Sequence, residues 1–261
     1  MTASARPGAR WRAPALRPAG RWAAVAMAAA FSYVAYVYLT LPDVLPLRTG
    51  TPATTAFIEL RAREAEAAGK KPRRVQQWVP YERISANLKR AVLVAEDAAF
   101  FSHEGVDFEE LEKSIESNWQ KGTLTARGGS TITQQLAKNL YLSPSKNPLR
   151  KFREFLIARR LEAELSKRRI FEIYLNVIEW GDGVYGIEAA ARLYFKTPAA
   201  ALGREESALL AAAIINPRVF SPARPSRRLL WRQRLILERM GDVEPPPPGQ
   251  PGAQSGGPPR S

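Results

Sequence analysis

Between Trp22 and Leu41 the chain runs twenty residues without a charge, a glycine or a proline, and only Ser32 and Thr40 interrupt its apolar and aromatic character. About 20 such residues are what a helix needs to cross a bilayer core of about 30 Å. A cleaved signal peptide would carry a shorter apolar region and a small-residue cleavage site, whereas this run ends Tyr-Leu-Thr-Leu-Pro. A soluble helix would keep a polar face. Arg6, Arg10, Arg12, Arg17 and Arg21 precede the run without any acid, and Pro42-Asp43 follows it. That asymmetry predicts a cytoplasmic N-terminus, a single span over 22–41 and everything after it outside the cytoplasm. Trp22 at one end and Tyr33, Tyr36 and Tyr38 towards the other suit the two membrane interfaces.

The placement bears on the net charge of +14. Nucleic acid, anionic lipid or an acidic substrate could each answer it. A domain outside the cytoplasm disfavours nucleic acid as the partner. The chain has no cysteine and one histidine, His103. Disulfide scaffolds, thiol nucleophiles and cysteine or histidine-rich metal sites are thereby excluded, and no metal ligands are predicted.

Downstream, the organisation reads as a connector over 42–74, a folded domain over 75–243 and a tail over 244–261. The tail is proline, glycine and small polar residues and is expected to be disordered. The domain reads as all-α. Helices are expected over 84–101, 107–120, from Thr131 onward, 148–165, 168–178, 186–195, 204–215 and 225–240, with a mobile glycine-containing loop at 121–129. Thr131, with Gln134 three positions on, has the spacing of a capping box.

Two carboxylates occupy apolar surroundings. Glu96 sits one turn from both Val92 and Phe100, and its neighbour Asp97 shares the setting. Unpaired acids are rarely buried, so of two adjacent acids one is expected to be structural and the other to face a cleft. Glu154 shares a helical face with Ile157, Leu161 and Leu165, four and three positions after Arg150 and Lys151. An ordinary helix ion pair would explain its partners but not its place in an apolar stripe. Two carboxylates from different helices match the two-acid arrangement used at sugar anomeric centres. Burial would raise each pKa and a nearby cation would lower it.

Between them lies Gly128-Gly129-Ser130-Thr131-Ile132-Thr133-Gln134-Gln135-Leu136-Ala137-Lys138-Asn139, followed by Lys146, Arg150 and Lys151. A glycine pair before a capped helix favours an anion, and the cations with Gln134, Gln135 and Asn139 extend that reading to a phosphate or diphosphate site. No P-loop pattern occurs. Ser143-Pro144-Ser145-Lys146 matches the S-x-x-K of penicillin-binding serine enzymes, but without the K-T-G and S-D-N elements it reads as chance.

These residues resemble a known family. Glu96 to Gly105 is similar to E-D-x-x-F-x-x-H-x-G, and Gly129 to Asn139 to G-S-T-I-T-Q-Q-L-x-K-N. Arg150 to Glu154 is similar to R-K-x-x-E. Ile170 to Asn176 with Gly186 and Ala189 to Phe195, and then Ala208 to Pro217, resemble its last two blocks. The family is the peptidoglycan glycosyltransferases, family 51, and the absence of a following transpeptidase domain resembles its monofunctional biosynthetic type. The resemblance implies a lysozyme-like all-α domain behind a single transmembrane helix, in the inner membrane, with its cleft next to the bilayer. The reaction it implies polymerises lipid II, inverting C1 and releasing undecaprenyl diphosphate.

By the same resemblance Glu96 is the general base and Glu154 assists from the donor side. Gln135, Lys138, Lys146, Arg150 and Lys151 hold the diphosphate, while Ser130, Thr131, Gln134 and Asn139 shape the cleft. Asp97, Phe100, His103 and Gly105 hold the motif loop. No cofactor is required, although a divalent cation (Mg or Mn) beside the diphosphate is compatible with it. The implied partners are lipid II, the growing lipid-linked glycan, the membrane and other cell-wall synthesis or division proteins. A lytic enzyme of the same glycan, which has less use for the cations, and a non-catalytic membrane scaffold are the competing readings.

Overall fold

The structure is a computed structural model and describes residues 18–103, 105, 130–142 and 148–246. The expected helix at 107–120, the loop at 121–129, Lys146 and the tail from 247 onward lie outside the described residues. The chain divides into two compact units, residues 1–41 and 42–261. The first contains helix α1 (Pro18–Leu39), whose stretch Arg21–Leu39 is long and apolar enough to cross a membrane.

The second unit is mostly helical. Its described helices are α2 (Ala56–Ala67), α3 (Ala86–Glu96), α4 (Ile132–Tyr141), α5 (Pro148–Glu164), α6 (Lys167–Val177), α7 (Ile187–Phe195), α8 (Arg204–Ala213) and α9 (Arg227–Arg239). Most begin where the chain supplies a hydroxyl. Thr55, Ser85, Thr131, Ser166 and Ser226 each accept a hydrogen bond from a backbone N–H two or three residues on, answering donors that a helix start leaves open. The all-α expectation therefore holds, and its helix ends agree to within two residues for α5, α6, α7, α8 and α9.

Three differences carry information. First, α3 stops at Glu96 rather than running to 101. Asp97 turns out of the helix because its carboxylate is engaged elsewhere, as described below. Second, the segment over 42–74 contains α2 and packs onto the unit. Val44, Leu47 and Ile58 are buried, and Arg169 donates to the carbonyls of Leu47 (2.8 Å) and Gly50 (2.6 Å).

Third, a small sheet joins strands β1 (Val75–Gln76), β2 (Glu179–Gly181) and β3 (Val184–Tyr185) in the order β1-β3-β2. β1 and β3 are parallel, with Val75 opposite Val184, while β2 and β3 are antiparallel. Strands of two or three residues are too short to leave a periodic signal in sequence. Buried Asn176 stands in for a further strand partner: its Oδ1 accepts from Val79 N, and its Nδ2 donates to Val79 O, both at 2.8 Å. Gly186 follows β3 at φ +79°, and a Cβ there would lie 2.7 Å from the Asn176 carbonyl. Only glycine fits that turn.

Two helix groups flank the acids. α9 packs on α8 and α8 on α3, while α4 packs against α2, α5 and α6. Glu96 ends α3, α4 carries the amides, and α5 carries Glu154. Phe100, Phe101 and Phe171 make mutual ring contacts at 4.9–6.1 Å beneath the turn after α3.

Candidate active site

The two adjacent acids have separated. Asp97 is buried, and its Oδ2 accepts from Ile132 N at 3.0 Å. The same carboxylate meets His103 Nε2 at 3.0 and 3.1 Å. It thus ties the turn after α3 to the first residue of α4, across 35 positions of sequence. Thr131 extends the tie: its hydroxyl donates to Gly105 O at 2.7 Å and accepts from Gln134 N at 3.3 Å. Gly105 has φ +78°, and a Cβ there would come within 2.9 Å of Glu162 Cγ. Phe100 is fully buried, with Lys167 Nζ 4.4 Å from its ring centroid and paired to Glu162 at 2.8 Å. Asp97, Phe100, His103 and Gly105 are therefore gathered around one turn.

Glu96 is left half-buried, facing α4. Gln135 Nε2 donates to its Oε2 at 2.8 Å. The Tyr174 hydroxyl donates to Gln135 Oε1 at 3.1 Å, so the amide is oriented with its nitrogen towards the acid. Burial raises the Glu96 pKa above the usual carboxylate value, and Asp97 adds to this. The Gln135 hydrogen bond and the charges of Arg232 and Lys138 pull in the opposite direction without cancelling it. Desolvation wins at this acid. A carboxylate with a raised pKa, one anchoring donor and part of its surface open is suited to accept a proton.

Glu154 has the opposite surroundings. It is buried, in line with Ile157, Leu161 and Leu165, which are buried too. Arg150 Nη1 donates to its Oε2 at 2.8 Å, and Lys151 pairs with its Oε1. Lys151 also donates to Ser130 Oγ at 3.1 Å and to Gln134 Oε1 at 3.4 Å. The helix ion pair and the apolar stripe are thus both present. An acid held this way fixes Arg150 and Lys151 in place.

Lys138 lies within the influence of both acids. Burial lowers its pKa; Glu154 and, more weakly, Glu96 favour its charge, while Arg150 and Lys151 oppose it. Asn139 Nδ2 donates to the Gln135 carbonyl at 2.8 Å and braces α4 one turn below the site. The structure therefore gathers Glu96, Ser130, Gln134, Gln135, Lys138, Arg150, Lys151 and Glu154 along α4. Among the described residues no group of three or more His, Asp or Glu could hold a metal ion.

Sequence reasoning passed over two contributors. Tyr174 is fully buried in α6, and its pKa stands well above the ordinary phenol value through burial and the charges of Glu96 and Asp97. It reads as a core aromatic until its hydroxyl is seen on Gln135. Arg232 of α9 acts on Glu96 through its charge and donates to Ala212 O at 3.2 Å. Nothing in its local sequence sets it apart from the other arginines of α9.

Comparison with known proteins places the chain in a family. A family model described as Transglycosylase matches residues 63–241. A biosynthetic peptidoglycan transglycosylase of Dechloromonas aromatica is 50% identical over 195 residues, covering 75% of this chain and 84% of that protein. Proteins of the same description from Methylobacillus flagellatus and Chromobacterium violaceum are 46% identical over 213 residues and 45% identical over 219. The first alignment covers 82% of this chain and 93% of the relative, the second 84% and 96%.

Proposed function

The chain belongs to the transglycosylase family, and from that premise we propose that it is a peptidoglycan glycosyltransferase that joins lipid II units into glycan strands. The observation that carries the reading is the pairing of one desolvated, singly anchored carboxylate, Glu96, with a second acid, Glu154, surrounded by cations.

In this reading Glu96 takes the proton from the 4-hydroxyl of the acceptor sugar. The hydroxyl oxygen forms its bond to C1 of the growing chain as the C1–oxygen bond to the diphosphate breaks, so C1 inverts. The leaving electron pair goes to undecaprenyl diphosphate. Lys138, Arg150 and Lys151 neutralise that charge, with Glu154 fixing two of them in advance so that little reorganisation is needed during reaction. Gln135, oriented by Tyr174, holds Glu96 towards the acceptor. Ser130 and Gln134 position Lys151, Thr131 holds the start of α4, and Asn139 braces the turn that carries Gln135. Lys146 is assigned to the same diphosphate. Asp97, Phe100, His103 and Gly105 are positioning residues. The cationic charge comes from side chains, so no cofactor is required; a Mg or Mn ion would supply only further charge neutralisation.

The apolar helix α1 anchors the protein in the inner membrane, with residues 1–21 in the cytoplasm and the catalytic unit outside. The five arginines before the span support that orientation. The decisive experiment is polymerisation of labelled lipid II by detergent-solubilised protein, wild type beside Glu96→Gln. Long glycan from the wild type and none from the variant is the expected result. If a folded wild type binds lipid II but makes no polymer, the scaffold reading takes over. If it only cleaves purified glycan strands, the lytic reading does.

A further inference from the structure

A second charged cavity lies away from the acids. Its walls come from α2 (Arg61, Glu64, Ala65), the segment after it (Ala68, Lys70, Lys71, Arg73), the β2–β3 hairpin (Glu179, Asp182, Gly183, Tyr185) and Arg218. It shares no residue with the site around Glu96 and Glu154.

Part of this cavity is internally paired, three acids against two arginines. Glu179 is buried, and Arg61 Nε reaches it at 3.3 Å while Arg61 Nη1 reaches Glu64 at 2.7 Å. Arg218 closes the chain of pairs, to Glu64 at 3.5 Å and Asp182 at 3.3 Å. Arg61 is further held over the Phe57 ring at 4.6 Å. These five groups alternate in sign and fix one another.

The remaining wall is different. The charged ends of Lys70, Lys71 and Arg73 make no hydrogen bond or ion pair among the described residues. Their backbone is nonetheless held firmly. Lys70 N donates to Ala65 O at 2.8 Å and Val75 N to Gly183 O at 2.8 Å. Gly183, at φ +68°, approaches Arg73 so closely that a Cβ there would be 2.7 Å from the Arg73 carbonyl. The loop thus presents, among the described residues, three cations without a direct partner beside an ion-pair network of three acids and two arginines, so the cavity as a whole is cationic. Ala65, Ala68 and Tyr185 contribute apolar surface to the same cavity. Several cations without direct partners, set beside apolar surface, suit carboxylates on a short organic chain.

We propose that this cavity is a non-catalytic site for the peptide of peptidoglycan, with a peptide carboxylate held by Lys70, Lys71 and Arg73. The proposal rests on the reading of the protein as a peptidoglycan glycosyltransferase and identifies a second place where it holds its substrate or product. A polymerising enzyme gains from such a site because a bound side chain keeps the strand near the catalytic acids between additions.

The test uses the full chain in detergent micelles and a disaccharide-peptide fragment of peptidoglycan, with the peptide-free disaccharide and inorganic phosphate as comparison probes. Titration calorimetry should show the disaccharide-peptide binding, and the triple variant Lys70→Gln, Lys71→Gln, Arg73→Gln weakening it by about tenfold or more. Glutamine keeps the Arg73 Cβ and Cγ that pack on Gly183, and circular dichroism checks that the variant is folded. Polymerisation of lipid II in a short assay should stay within about twofold of wild type, since none of the three residues touches the site. Equal binding by the triple variant, equal binding of the peptide-free disaccharide, or displacement by an equal concentration of phosphate would each overturn the proposal. A wild type that binds the fragment through these residues yet polymerises nothing would defeat the catalytic reading and leave this site standing.

Discussion

Glu96 and Glu154 reach α4 from two different helices, and their surroundings assign them opposite work. Glu96 has one anchoring neutral donor, Gln135, and burial decides its protonation. Glu154 has Arg150 and Lys151 on its two oxygens. An acid of the first kind is poised to exchange a proton; one of the second kind holds two basic side chains in place. The same residue type thus becomes a base or a strut according to whether its nearest partners are neutral or charged.

The largest effect should come from removing the base. Glu96→Gln keeps shape and one acceptor but cannot take a proton, so polymerisation of lipid II should fall by about a thousandfold. The same variant should melt at a higher temperature than wild type near neutral pH. The sign follows from linkage: the folded-state pKa is raised, so stability is lost as pH rises through that window, and a neutral isostere avoids the loss. A variant equally inactive but less stable would mean that Glu96 is structural.

Glu154→Gln should cost less, about tenfold to a hundredfold in kcat, because the cations remain but lose the acid that holds them. Its pH–rate profile should keep the wild-type acidic limb, which lies above the ordinary carboxylate range because activity is lost as pH falls through the raised Glu96 pKa. If the limb moved in Glu154→Gln while Glu96→Gln retained it, the two assignments would have to be exchanged.

Asp97 tests the comparison from the side of the fold. Asp97→Ala leaves Ile132 N–H buried without its acceptor and should cost about 1–3 kcal/mol of stability, read by denaturant unfolding. Glu96→Gln should cost none. The contrast separates a carboxylate that holds two segments together from its neighbour that does not.

These roles were only partly legible in the sequence. That one of Glu96 and Asp97 would be structural followed from the cost of burying two adjacent acids; the residues alone did not say which, and only the family resemblance assigned the base to Glu96. The choice depends on Ile132 N and His103, which face Asp97 only once the chain has left the helix at position 96. Glu154 stood out because a carboxylate sat in the stripe of Ile157, Leu161 and Leu165, and both its partners were within one turn. Tyr174 and Arg232 could not be read, since their links to Gln135 and Glu96 are made by tertiary packing. The sheet escaped for another reason: β1 and β3 pair residues 75–76 with 184–185 through segments shorter than any period. The helical class was legible because apolar spacing and hydroxyl caps are local.

The finest test of the comparison reaches Glu96 through Tyr174. Its hydroxyl donates to Gln135 Oε1, and Gln135 Nε2 donates to Glu96, so the phenol acts on the acid only by fixing the amide. Gln135→Leu removes the donor that favours the ionised carboxylate, and the acidic limb of the rate profile should therefore move to higher pH. Tyr174→Phe keeps the donor but frees the amide to rotate, so the limb should move the same way by a smaller amount, with little loss of rate on the plateau. The loss of a buried hydroxyl alone would lower stability without moving the limb, which separates positioning from packing. A limb that moved in Gln135→Leu but not in Tyr174→Phe would show that α4 alone orients the amide and remove Tyr174 from the site.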